Sequence, residues 1–289
     1  MKIAIIGGSG KMGRWFARFL KEDGKEVVIT GRNEKKMEEA GRQLGVGIAS
    51  NIEAVTGADA VLLSVPIESF EEVVRQISPC IQPGQVVIDM TSIKVFPVET
   101  MHKHLGTGLV LGAHSLFGPG AERIANQNFV LTPTNGEEES LAQKVRDYLE
   151  ARGARVILMS PQEHDEMMTV ILGLSHFIAI VSADTLLSNE RLKQIESVGG
   201  ITYKVLLTLV ESVITEDPEL YASLQMNLPG VTEIEKLFQR RAEEWADLVK
   251  NRDRREFVQR MKILRSRLEK KVPDFGKAYE NMYKIVDGL

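Results

Sequence analysis

The chain of 289 residues has a single cysteine, Cys80. One thiol excludes an intramolecular disulfide framework and suits a reducing compartment, and Cys80 itself reads as a small apolar filler. A basic excess is missing too: 36 Lys and Arg face 40 Asp and Glu, a formal net charge of −4. Domains that hold nucleic acid through general electrostatics carry a clear positive surplus, so no nucleic-acid partner is expected. No apolar run approaches the ~18 residues that span a bilayer. The opening MKIAIIG is too short for a signal-peptide core and runs at once into glycines. These absences predict a cytoplasmic protein with no membrane partner. Internal repeats and low-complexity segments are absent as well. A metal site is not expected, because the carboxylates scatter over helix faces and His102 and His104 lack a third ligand.

What remains is a composition of globular type, 43% hydrophobic and 26% charged, in a chain long enough for two ordinary domains. The first half alternates short apolar runs with helical patterns. Runs lie at Lys2–Ile6, Glu26–Thr30, Ala60–Val65, Val86–Met90, Leu109–Leu111, Phe129–Thr132 and Arg155–Leu158. Amphipathic stretches such as Met12–Glu22, Glu34–Leu44 and Phe70–Ile77 fall between them. That alternation predicts βαβ units and a mostly parallel, doubly wound sheet. The unbroken apolar character of AVLLSV and QVVIDM suits strands buried on both faces.

The pattern changes at Ser160. Ser160, Pro161 and Glu163 form a helix start, with a capping serine, a first-turn proline and a glutamate three residues on. Helical periodicity then predicts helices near Gln162–Leu187, Leu192–Val198, Thr202–Thr215, Glu219–Met226, Val231–Lys250 and Arg254–Lys270. The division expected is an α/β domain over 1–159 and an all-helical domain over 160–289. The charges along the last helices read as solvated faces with i,i+4 pairs.

Gly8-Ser9-Gly10-Lys11-Met12-Gly13 matches GxGxxG, follows the strand KIAII and opens a helix. That context is the one a dinucleotide fingerprint requires. Gly8 is expected to permit the tight turn, Gly10 to let the pyrophosphate approach, and Gly13 to let helix and strand pack closely. The helix N-terminus offers N–H groups and a positive dipole end to the phosphates. At the end of the second strand, where NAD-selective sites place a carboxylate, the sequence has Thr30-Gly31-Arg32-Asn33. Thr30 can donate a hydrogen bond and Arg32 can pair with a 2′-phosphate, which favours NADP over NAD. Ser64-Val65-Pro66 and Asp89–Lys94 close further strands on the same edge, where a doubly wound sheet binds its ligand.

Of the five histidines, His102 and His104 read as surface residues. His164 lies in the first turn of the Ser160 helix, where the dipole disfavours protonation, and reads as structural. His114 sits in LGAHSLFGPG, where glycines and a proline suggest a shaped loop after a strand rather than a core. His176 lies on an apolar helix, LGLSHFIA, and read alone is a core histidine.

The segment LGAHSLFGPG resembles the HPMFGP-type motif of prephenate and arogenate dehydrogenases. GGSGKMG, DMTSIK, the EHD after Ser160, LGLSHFIA, ITYKVLL and EDPELY match that family in order, from Met1 to about Tyr221. The resemblance implies a Rossmann-type domain followed by a helical dimerisation domain, and hence a homodimer. It implies oxidative decarboxylation of prephenate or arogenate, with hydride transfer to NADP or NAD, on the way to tyrosine. It places the proton acceptor on His114, its orientation on Ser92, and a substrate contact on His176. The family's substrate-binding arginine has no counterpart, since this chain reads Thr202-Tyr203-Lys204. Lys204 keeps the charge without the planar fork: it binds the carboxylate as a point charge, or the match slips and another cation does so, or the substrate preference is altered, with Tyr203 beside it. Another nicotinamide oxidoreductase of a small anion, of hydroxyacid or imine reductase type, and a non-catalytic dinucleotide sensor are the alternatives. Only a dehydrogenase would bind cofactor yet lose turnover without His114. The active site is expected where the two domains meet.

Overall fold

The structure, a computed structural model, describes residues 1–288. Its residues group into two compact units, Met1–Met168 and Thr169–Leu289.

The first unit is built on one sheet. Its strands are β1 (Lys2–Ile6), β2 (Glu26–Ile29), β3 (Gly47–Ile48), β4 (Ala60–Leu63), β5 (Val86–Asp89), β6 (Leu109–Ser115), β7 (Asn128–Thr132) and β8 (Arg155–Leu158). They lie in the order β3-β2-β1-β4-β5-β6-β7-β8. All neighbours run parallel except β6 and β7. The helices are α1 (Lys11–Glu22), α2 (Glu34–Leu44), α3 (Asn51–Thr56), α4 (Ile67–Ile77), α5 (Val95–His104), α6 (Gly136–Glu150) and α7 (Pro161–Met168). Every residue of β4 is buried, which explains its unbroken apolar run. Trp15, Phe16 and Leu20 of α1 and Leu141 and Leu149 of α6 pack with Ile3, Leu62 and Phe129 in one core cluster. Phe70, Val74 and Met101, from α4 and α5, pack with Ala4, Val61 and Val87 in another. Successive residues of β1 and β4 thus feed opposite faces, as the pleat requires. The sheet is doubly wound, and its strand order reverses between β1 and β4.

Short or weakly periodic elements escape the sequence pattern. β3 has two residues, α3 has six, and α5 carries Pro97 in its first turn and a mixed polar and apolar sequence, so none offered a clear periodicity to read. His114 departs from the sequence expectation. It lies inside β6, 5% exposed, rather than in a loop beyond it. Gly112 and the polar Ser115 masked a strand whose register with β7 runs through Ser115↔Phe129.

α7 starts as its sequence predicts. Ser160 Oγ accepts from the Glu163 N–H at 3.2 Å, and Glu163 Oε2 accepts from the Ser160 N–H at 2.9 Å. Pro161, His164, Asp165 and Met168 are buried, an i, i+3, i+4, i+7 stripe.

The second unit opens with a π-helical turn, Thr169–Leu174, followed by α8 (Ser175–Leu187), α9 (Leu192–Val198), α10 (Ile201–Ile214), α11 (Pro218–Asn227), α12 (Val231–Lys250), α13 (Arg254–Lys271) and α14 (Ala278–Asp287). The π turn is locked locally. Gln225 donates to the Gly173 carbonyl at 2.9 Å, and Thr169 donates to the Pro229 carbonyl. Ala179, Ala183, Val210, Val213, Leu224 and Leu228 are buried, while Leu187, Val198, Ile214 and Met226 lie more than half exposed.

One expectation is overturned here. The continuous helix Pro161–Leu187, 27 residues, is long and apolar enough to cross a membrane, and is the one such helix among the described residues. Single polar residues such as Ser175, His176 and Ser182 interrupt the apolar run, yet the mean hydropathy of its most apolar window stays at 1.9. Only 17% of its most apolar window is buried in this chain.

Candidate active site

Strand register sets the geometry. Ile6 pairs with Leu63, Leu63 with Asp89, and Asp89 with Gly112. The residues just beyond this line emerge from one sheet edge: the glycine loop from Gly7, Ser64–Pro66, Met90–Ser92 and His114. This is the carboxyl edge, where open α/β sheets hold their ligands.

In the glycine loop the structure reassigns one role. Gly7 has φ +81°, and a Cβ there would overlap the Ser64 carbonyl, so Gly7 rather than Gly8 makes the tight turn. A Cβ on Gly8 would lie 2.6 Å from the Ile29 side chain, and one on Gly13 would overlap the Gly7 carbonyl. These two glycines let β2 and α1 close on the loop. Gly10 differs, since a Cβ there would meet only the Gly7 oxygen, at 3.3 Å. It caps α1 without a side-chain cap, and the first turn carries no acidic residue. Those N–H groups and the open approach at Gly10 fit a dinucleotide's phosphates. Ser9 is half-buried against Gly31, Lys11 is exposed, and Met12 packs on the core. Arg14 straps the loop to α2, donating to Ser9 O at 3.1 Å and Lys36 O at 3.2 Å.

At the end of β2, Thr30 is 1% exposed and its hydroxyl donates to Asn51 Oδ1 at 2.6 Å. That proton is therefore committed within the chain, not offered to a ribose as the sequence suggested. Arg32 is exposed. Ser64 and Val65 are half-buried and Pro66 is exposed, leading into α4.

The chemical groups converge around β6. His114 Nδ1 lies 2.8 Å from His164 Nε2, and His164 Nδ1 lies 2.7 Å from Asp165 Oδ1. Asp165 also accepts from the backbone N–H groups of Lys94 (2.7 Å) and Val95 (2.9 Å). Lys94, fully buried, pairs with Asp89 and donates to the Ala113 carbonyl at 2.8 Å. Ser92 is half-buried and makes no hydrogen bond to His114, so the ring is held by His164 instead. His164, which the sequence suggested as a structural histidine, is thus buried beside His114 as its hydrogen-bond partner. The EHD triplet marked a helix start and a family match without naming that partner.

Burial pushes His114 well below the usual histidine range, with His164 and the Lys94 ammonium adding to it. Burial also lowers His164, partly countered by the Asp165 hydrogen bond. Both rings are neutral near pH 7. Burial raises Asp89 and lowers Lys94, against their mutual attraction.

In the helical unit, His176 packs edge-on against Tyr221, ring centroids 4.7 Å apart. His176 Nδ1 and the Tyr203 hydroxyl are buried without a hydrogen-bond partner. Lys204, on the next position of α10, is exposed. Among the described residues no cluster of His, Cys, Asp and Glu is arranged to hold a metal ion.

Two family models match the chain. Residues 16–158 match "Prephenate dehydrogenase, nucleotide-binding domain" and residues 160–263 match "Prephenate dehydrogenase, dimerization domain". The chain belongs to the prephenate dehydrogenase family. A probable arogenate/prephenate dehydrogenase of Methanocaldococcus jannaschii is 35% identical over 266 residues, covering 91% of this chain and 60% of that protein. The T-protein of Haemophilus influenzae is 27% identical, covering 89% of this chain and 64% of that one. The chain therefore spans about three fifths of the length of these curated family members. The solved prephenate dehydrogenase of A. aeolicus, in complex with hydroxyphenyl propionate and NAD+, superposes with a TM-score of 0.77 at 23% identity, covering 93% of this chain and 98% of that one. The family's fold, a Rossmann-type unit and a helical one, is the fold found here.

Proposed function

We propose that this chain is a nicotinamide-dependent dehydrogenase that oxidises and decarboxylates prephenate or arogenate in tyrosine biosynthesis. The observation that carries the reading is His114, a neutral imidazole held by a second ring, on the same sheet edge as the glycine loop. Gly8, Ser9, Gly10, Lys11, Met12 and Gly13 would hold the pyrophosphate, with Ser64, Val65, Pro66 and Ser92 along the same edge. The bound dinucleotide supplies the acceptor for the hydride that leaves the substrate's carbinol carbon. His114 takes the hydroxyl proton as that C–H bond breaks, and loss of the ring carboxylate as CO2 leaves an aromatic ring. A base that is neutral near pH 7 is ready to accept.

Arg32, exposed where NAD-selective sites carry a carboxylate, supports a preference for NADP over NAD. His176 and Tyr203 are assigned to the substrate, and their unpartnered buried polar atoms support that role, since such atoms normally find a partner. Lys204 supplies a carboxylate with a cation. The matched dimerisation domain and its exposed apolar helices support a homodimer, in the cytoplasm.

The test is a four-way assay at 340 nm: prephenate or arogenate, each with NAD+ and NADP+. Turnover with either substrate supports the reading and shows the preferred pair. Silence in all four, with cofactor still bound, overturns the substrate assignment.

A further inference from the structure

The hydrogen-bond chain His114–His164–Asp165 has a direction, and it can be read from its buried end. Asp165 receives two backbone N–H groups, those of Lys94 and Val95, so both its oxygens act as acceptors. His164 Nδ1, 2.7 Å from Oδ1, must therefore carry the proton. In a neutral ring that leaves His164 Nε2 as an acceptor. His114 Nδ1, 2.8 Å away, must then be the donor. One carboxylate thus fixes both tautomers and leaves His114 Nε2 as a bare lone pair. The arrangement is built by two distant pieces of chain. β6 carries His114, and the capped first turn of α7 turns His164 and Asp165 toward the buried side.

The surroundings explain why a fixed tautomer is not the whole of it. The charged groups around His114 are Lys94 and Asp89 from the β5 end, and His164 and Asp165 from α7. Burial and the Lys94 ammonium both disfavour a cation on His114. A proton accepted at Nε2 and kept there would leave an imidazolium in the interior, beside that ammonium.

We propose that His164 and Asp165 act as positioning residues in a proton relay. When His114 Nε2 accepts a proton, Nδ1 passes its own to His164 Nε2, and His164 Nδ1 passes its own to Asp165. One proton enters at Nε2; both rings end neutral in the opposite tautomer, and the Asp165 carboxylate becomes a carboxylic acid. No cation forms on either ring. Lys94 anchors the far end through its backbone N–H on Asp165 and its ammonium on Asp89. The proposal rests on the reading of His114 as proton acceptor.

The experiment uses the full chain. Nitrogen NMR of the histidine rings at pH 7.5 should show His114 and His164 both protonated on Nδ1; a proton on His114 Nε2 overturns the proposal whatever the activity. With the preferred substrate and cofactor, His164→Gln should lower kcat by about 100-fold, the low end for general base catalysis, with KM and cofactor affinity within about threefold. The solvent-isotope proton inventory should be curved in the native enzyme and linear in His164→Gln. Asp165→Asn, checked with His164→Gln for a native melting profile, should show the same kcat loss. An unchanged kcat in His164→Gln, or a linear inventory in the native enzyme, overturns the relay. Absence of native turnover on both substrates overturns instead the dehydrogenase reading, and the NMR result then decides the tautomers by itself.

Discussion

The indole Nε1 of Trp15 donates to the carbonyl of Ala121 at 2.6 Å, joining α1 to the loop that follows His114. Phe117 of that loop packs edge-on against the same indole, ring centroids 4.8 Å apart. The helix that opens at the glycine loop and the FGPG segment are therefore one mechanical piece, through residues 106 positions apart.

Trp15→Phe keeps the ring contact and removes the donor, leaving the Ala121 carbonyl without it. The expected loss is about 1–3 kcal/mol of unfolding free energy, the cost of one unsatisfied, partly buried polar group. Urea denaturation measures it. Limited proteolysis should at the same time cut faster between Leu116 and Gln127, where the loop has lost its tether.

Gly7→Ala and Gly10→Ala should part company. At Gly7 the positive φ and the overlap with the Ser64 carbonyl leave no relaxed position for a methyl group. A cost of roughly 3 kcal/mol or more, or failure to fold, is expected. At Gly10 the nearest atom is 3.3 Å from the added carbon, so folding should survive while the approach of a pyrophosphate is obstructed. Thermal melts with and without dinucleotide separate the two outcomes.

Arg32→Asp should reverse the cofactor preference, lowering kcat/KM with NADP+ by about tenfold or more, the scale of one lost charge-assisted contact. Thr30→Val should leave the NADP+/NAD+ ratio unchanged, because the hydroxyl it removes serves Asn51. A ratio shifted by Thr30→Val and not by Arg32→Asp would overturn the assignment.

Stability should fall as pH drops below about 6.5, the ordinary histidine value. Native His114 and His164 are held below it, so between that pH and their native values the unfolded chain binds protons that the native chain refuses. The contribution is full above pH 6.5 and is lost on acidification. Urea midpoints from pH 8 to 5 should show this fall, and His114→Phe should flatten it. Glu71 acts in a separate window. The hydrogen bond from His104, followed by that from Arg75, holds it at about 2, so its share disappears only well below pH 4.5.

The sequence by itself determined the elements whose periodicity is long or whose ends are chemically marked. α2 and α12 follow their predicted bounds, since their apolar stripes and flanking glycines at 45 and 230 are local signals. β1 and the glycine loop are legible for the same reason, and so is the start of α7, whose cap needs only Ser160 and Glu163. The family motifs around His114 were legible as a string of residues. What only the tertiary structure decided is pairing across long intervals. That His114 lies within a strand follows from its register against β7. That its ring meets His164, fifty positions further on, follows from the chain folding back, so the EHD triplet could announce a helix but not its partner. The same holds for Thr30 and Asn51, and for Gly7 against Ser64, where chemistry readable at one position is used up by a neighbour the local pattern cannot name. Periodicity reports which face of an element is buried; it carries no information about which side chain waits on the other side.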